Sequence, residues 1–257
     1  ITALNSNRKM ESITSAGGLP PDLFDATTLQ SLASVVVILS IAYGTSLKAL
    51  SPTTPGSLRF LFIWHMFDAL IHFALEGSFL YHCFFSWLPV SDLTLKQVAQ
   101  FYPTPTNFLG TSDRIYGSQA GDGFWANLWM VYAKADKRWA GADLAVISLE
   151  LLTVFVVGPM AVWVCYDIAK KNPRYNITMI MLATAELYGG FMTFCPEWLT
   201  GNINLDCSNF MYLWLYLVFF NMLWVFIPIY SIYIGCKDIF DAFSVRAAAG
   251  QVKKKQK

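Results

Sequence analysis

Charge is what this sequence has least of. Only 14% of its 257 residues are Asp, Glu, Lys or Arg, against roughly 25% in an ordinary soluble domain, and 55% are hydrophobic. That balance excludes a typical soluble globule and predicts an integral membrane protein. A net charge of +1, with no interleaving of basic and aromatic residues, excludes a nucleic-acid partner. The five cysteines form no CxxC pair, and the three histidines lie close together without an HExxH pattern, so no metal and no cofactor are expected. No internal repeat is visible, and an apolar leader is missing as well: residues 1–9 precede Met10 without an apolar core. They read as an appended remnant or unanchored tail, with Met10 as the natural start.

What charge there is sits in an unusual place. Between Phe60 and Phe85 the chain is apolar enough for a transmembrane helix, yet His65, Asp68, His72 and Glu76 recur at intervals of three, four and four. They therefore project from one face. An ionisable side chain at bilayer depth costs at least ~2.5–3.5 kcal/mol on insertion scales, so this face must line a cavity within the protein. A bland reading makes the stripe polar glue between helices, but glue is usually Ser, Thr, Asn and small residues. Four titratable groups point to chemistry or proton handling, and they titrate as a coupled set.

Five membrane helices are predicted, at about 29–47, 58–85, 142–168, 177–194 and 211–236, preceded by an amino-terminal tail (1–28) and followed by a basic tail (237–257). The fold class is an all-α, five-helix membrane bundle. Residues 86–141, with Pro89, Pro103 and Pro105 among charges, form a folded cap loop. Within it, Leu128 to Trp139 reads as a helix lying along the membrane surface. Gly158-Pro159 marks a kink in the third helix. Lys48, Arg59, Lys170, Lys171, Arg174 and the terminal lysines crowd one side, so the positive-inside rule puts the carboxyl terminus in the cytoplasm and the amino terminus in the lumen. Lys254-Lys255-Gln256-Lys257 reads as a dilysine retrieval signal of the endoplasmic reticulum. Cys195 and Cys207 bracket the short lumenal loop and are a candidate disulfide, with Cys83 a competing partner.

Several short patterns occur in order along the chain: Ile71-His72-x3-Glu76-Gly77; Leu128-Trp129-x2-Tyr132-Ala133-Lys134-x-Asp136-x-Arg138; Glu150-x2-Thr153 before Gly158-Pro159; Tyr188-Gly189; and Asn221-x2-Trp224. Together they resemble the emopamil-binding protein family, whose best-known activity is sterol Δ8-to-Δ7 isomerisation. The resemblance implies a five-helix fold in which His72 and Glu76 deliver the proton. Glu150 and Thr153 are then the facing carboxylate and hydroxyl, and Asn221 and Trp224 contact substrate from the last helix. Tyr132 and Asp136 belong to a capping loop. His65, Asp68 and Glu186 depart from the sterol-isomerase pattern, and the second loop is longer. These features resemble the branch of the family found in fungal terpenoid pathways, in which the same cation chemistry closes rings.

The expected catalytic set is therefore His72, Glu76, Glu150 and Asp68, with substrate contacts from His65, Tyr132, Asp136, Thr153, Glu186, Tyr188, Asn221 and Trp224. Which of His72, Glu76 and Asp68 carries the proton stays open. The expected partners are a lipophilic isoprenoid or sterol substrate and membrane lipid, and a homodimer is a permitted assembly. The leading function is a terpenoid cyclase, with sterol isomerase the close alternative. A binding-only protein for sterols or amphiphilic amines would tolerate His72→Gln. A proton-coupled transporter would need the paired broken helices of inverted repeats.

Overall fold

The computed structural model describes residues 26–255; the lead at 1–25 and the last two residues lie outside it, as do the remnant at 1–9 and part of the dilysine signal. Five of its helices are long and apolar enough to cross a membrane. They are α1 (Ala26–Ala49), α2 (Gly56–Phe85), α5 (Leu144–Ala169), α6 (Tyr175–Leu199) and α7, which opens at Tyr212 and runs to Lys255. The protein is an all-α, multi-pass membrane protein. Its outward faces carry large apolar side chains such as Val36, Ile41, Phe155, Trp163 and Phe226, the surface that hydrocarbon rather than water would cover. The last helix continues well past Cys236, where the apolar run stops.

Local chemistry sets the boundaries. Pro55 precedes α2, and the Asp143 carboxylate accepts from the Ala145 and Val146 N–H groups at 3.0 Å each, satisfying two orphan donors at the start of α5. Three stretches wind as π-helix: Ile71–Glu76 in α2, Thr153–Val157 in α5 and Tyr212–Phe220 at the head of α7. Two have a visible cause. Pro159 brings no N–H to the ladder, so the kink expected at Gly158-Pro159 takes the form of a widened turn just before it. Asn221 closes the third stretch by donating from Nδ2 to the carbonyls of Tyr216 and Leu217, both at 3.0 Å.

The cap between α2 and α5 is folded. A two-stranded antiparallel ribbon pairs β1 (Trp87–Pro89) with β2 (Arg114–Tyr116), Trp87 opposite Tyr116. The Arg114 guanidinium lies 3.8 Å over the Trp87 ring. Gly117 follows at φ +114°, where a side-chain carbon would stand 2.5 Å from the Ala140 carbonyl oxygen. Two short helices, α3 (Leu95–Val98) and α4 (Gly123–Tyr132), complete the cap.

The surface helix expected over Leu128 to Trp139 does not form. Helix α4 ends at Tyr132, and the chain turns inward so that Val131, Ala135, Asp136, Arg138 and Trp139 are all buried. The cause is a buried ionic knot: Arg138 donates to both Asp136 oxygens (2.9 and 2.6 Å) and to the Thr193 carbonyl of α6 at 2.7 Å, with Glu197 at 3.6 Å. Trp129 stacks on Trp139 at 4.7 Å and donates its indole N–H to Ser78 of α2 at 2.9 Å. Cap and bundle are thus locked together from two sides. The Cys195–Cys207 disulfide is also not formed: all five cysteines are free thiols. Cys195 sits within α6 and Cys207 in the loop beyond it.

Candidate active site

The stripe on α2 meets α5, α6 and α7 at mid-bundle. Asp68 and His65 are fully buried and His72 is nearly so, at 2% exposure. His72 lies between two carboxylates. Its Nδ1 is 2.5 Å from Glu76 Oε2, and its Nε2 is 3.1 Å from Asp68 Oδ1, off the line of a well-formed hydrogen bond. The π turn at Ile71–Glu76 keeps Glu76 aligned under His72, because a wider turn brings residues four apart closer to eclipse than α-helix does.

On the far side of Glu76 stands α5. There Glu150 faces the site, and Thr153 donates its hydroxyl to Glu150 Oε2 at 2.7 Å. On the far side of Asp68 stands α7, whose Trp224 donates its indole N–H to Asp68 Oδ1 at 2.7 Å. The result is a row of side chains, Glu76, His72, Asp68 and Trp224, with Glu150 facing it from α5. Gly158 lets α5 come close enough: a side-chain carbon there would stand 2.9 Å from the Phe73 ring and 3.4 Å from His72 Cβ.

From α6, Glu186 enters the same space. Its carboxyl is buried, and neither oxygen has a hydrogen-bond partner among the described residues. One atom each of Asp68, His72 and Glu186 lie within 4.8 Å of one another, and this is the group among the described residues that could hold a cation. Spacing in the sequence did not show it, because it joins two helices. The fit to a metal is poor. A bare lone pair on His72 Nε2 would be repelled by a carboxylate oxygen at 3.1 Å, so that nitrogen carries its proton and is no free ligand.

The other sequence candidates divide. Asn221 is near the site through Tyr132, whose hydroxyl lies 3.4 Å from its Nδ2, and burial pushes the Tyr132 phenol up, with Asp136 adding to the effect. His65 uses Nδ1 on the Leu61 carbonyl at 2.7 Å, while its Nε2 has no partner among the described residues. Asp136 is spent on Arg138 in the cap, and Tyr188 is 65% exposed on the outer face of α6. Trp64 was not singled out in the sequence. It packs edge-on against Trp224 at 5.2 Å with its indole N–H buried and unpartnered. Its position one turn before Asp68 on the same face was the available signal.

The family model described as EXPERA (EXPanded EBP superfamily) matches residues 124–234. Over that stretch, a little under half of its length, the chain is similar to this superfamily. The matched region carries Glu150, Thr153, Glu186 and Trp224, and the α2 stripe lies before it. Among curated relatives, the 3-beta-hydroxysteroid-Delta(8),Delta(7)-isomerase of Cavia porcellus is 29% identical over 128 residues, 50% of this chain and 55% of that one. Protoglabretal synthase MOI1 of Citrus sinensis is 24% identical over 205 residues, 80% of this chain and 82% of that one. Isomeliandiol synthase MOI2 of Melia azedarach is 31% identical over 105 residues, covering 41% and 48%. The match to the guinea-pig isomerase thus spans about half of that relative's length. The relatives that this chain resembles thus include proteins named as a steroid isomerase and as protoglabretal and isomeliandiol synthases.

Proposed function

We propose that the chain is a membrane-embedded enzyme that rearranges an isoprenoid or sterol skeleton by Brønsted acid-base catalysis through a carbocation. The observation that carries this reading is the row Glu76–His72–Asp68, capped by the Trp224 indole, with the buried Glu150 on the facing helix. Such an arrangement can give a proton to substrate at one point and take one back at another, with His72 passing it between carboxyls. A hydrocarbon cation needs an acid, a base and an aromatic face, and each has a counterpart here.

Within that class the finer reading is a terpenoid or meroterpenoid cyclase. A proton opens an epoxide or adds to an alkene, the cation closes a ring, and a carboxylate removes a proton. Asp68 and Glu186 support it, as they add acid groups beyond the His72, Glu76 and Glu150 set. The second reading, a sterol Δ8-to-Δ7 isomerase, is favoured by the relatives that bear that name. The substrate is lipophilic in either case, the protein resides in the endoplasmic-reticulum membrane with a lumenal amino terminus and a cytoplasmic carboxyl terminus, and a homodimer is compatible with both.

Membranes containing the full chain, incubated separately with a Δ8 sterol and with an epoxidised prenyl substrate and read by mass spectrometry, test the proposal. Ring closure of the epoxide supports the cyclase, and a shifted double bond supports the isomerase. Tight binding with no product from either, unchanged in His72→Gln, refutes both.

A further inference from the structure

We infer that Glu186 is the proton donor of a second acid station, built with Asp68 and His72 across α2 and α6, that protonates an oxygen atom of the substrate. The inference rests on the proposed cyclase function and names the residue that would start it. Three observations carry it. Glu186 Oε1 and Oε2, Asp68 Oδ2 and His72 Nε2 are all buried without a hydrogen-bond partner among the described residues. One atom from each side chain lies within 4.8 Å of the others. And the three come from two helices, so the grouping is made by the fold rather than by neighbours in sequence.

The spacing suits one guest oxygen. An atom about 2.8 Å from each of two partners can bridge groups up to roughly 5.6 Å apart, which covers the observed 4.8 Å limit. The donors are also assigned by geometry. Two carboxylate charges this close in an apolar interior repel strongly. Asp68 already receives the Trp224 N–H and faces His72, whereas Glu186 receives nothing, so the proton of the pair resides on Glu186.

The chemistry balances without another reactant. The Glu186 O–H proton passes to the epoxide oxygen, and the carbon–oxygen bond breaks with its electron pair going to oxygen, leaving a hydroxyl and a tertiary cation. The π pair of a neighbouring alkene forms the new carbon–carbon bond, and the ring cation loses a proton to Glu76 or Glu150. His72, in contact with Glu76 through Nδ1 and with Asp68 through Nε2, returns that proton towards Glu186.

The test uses the full chain in membranes, with the terminal epoxide of farnesol and a Δ8 sterol as probes. Glu186→Gln should slow epoxide opening at least ~100-fold, the low end of a general acid's contribution, with a loss on the sterol at least about tenfold smaller. Glu186→Asp, a shorter acid, should restore part of the rate on the epoxide. Infrared spectra of the wild type should contain a protonated-carboxyl band that Glu186→Gln removes. Equal losses on both probes, an undiminished epoxide rate, or an unchanged band overturns the inference. So does activity that a chelator removes and zinc restores, which would make the trio a metal site. A wild type that turns over neither probe refutes the proposed function itself, while the infrared band still reports independently on the Glu186 proton.

Discussion

Replacing Asp68 with asparagine removes a charge and almost nothing else, so it isolates what that charge does. An Asn at this position keeps an oxygen to accept the Trp224 N–H now made at 2.7 Å, and it fills the same volume, so the α2–α7 contact should persist. What goes is the attraction between a carboxylate and an imidazolium 3.1 Å away, on the order of 5 kcal/mol at an effective dielectric of ~20. Part of that is recovered by the amide dipole. A net loss of only ~2.7 kcal/mol already gives a hundredfold slower reaction, at about 1.36 kcal/mol per decade. We therefore expect Asp68→Asn to lower the rate on an epoxidised prenyl substrate by ~100-fold or more, measured as initial rate in membranes, with thermal unfolding unchanged. Trp224→Phe is the companion. It leaves the charge but deletes one hydrogen bond to it, worth ~1.5–3 kcal/mol, so its loss should be of the order of ten- to a hundredfold. A near wild-type epoxide rate in Asp68→Asn would refute the reasoning and reduce Asp68 to a structural acceptor for the Trp224 indole.

Glu76→Gln, His72→Ala and Glu150→Gln should each cost at least ~100-fold in turnover with the protein still folded, since each deletes a proposed proton carrier from the site; activity within tenfold of wild type would remove that residue from the mechanism. Arg138→Ala should destabilise the protein by ~3–5 kcal/mol, because it strands Asp136 as an uncompensated buried acid between cap and α6, and a wild-type melting temperature in detergent would contradict this. Gly158→Ala should fold yet turn over about tenfold more slowly, as the new methyl group meets the Phe73 ring at 2.9 Å and pushes α5 off His72; full activity would mean that Phe73 swings aside at no consequence for the site.

How much of this was legible in the residues depends on the range of the interaction. The α2 stripe could be read because charge is costly in an apolar helix and its spacing is a property of one segment. The same holds for the five spans, whose boundaries the structure places within a few residues except at the end of α6, which runs on to Leu199, and α7, which runs on to Lys255. The cap could not be read this way. Leu128 to Trp139 has helical propensity, but Asp136 and Arg138 find partners at Thr193, Glu197 and Leu205, some sixty residues away, and those contacts turn the chain inward. The meeting of Glu186 with Asp68 and His72 was hidden for the same reason: it depends on how α6 is rotated against α2, which no single helix encodes. Cys195 and Cys207 are close along the chain, and the structure shows how little sequence proximity says about bonding geometry.

The widened turn at Ile71–Glu76 stores function in a count of residues. A π segment holds about one more residue per turn than its α-helical continuation, so the side chains before and after it are aligned only while that surplus residue is present. Deleting one residue there would let the ladder close as α-helix and turn Asp68 and His65 by about 100° relative to Glu76. No functional side chain would have been substituted, and every span would still be long enough for a bilayer. Three nucleotides gained or lost at this turn would make or unmake the reactive geometry in a single step, a change that a comparison of residue identities alone would pass over.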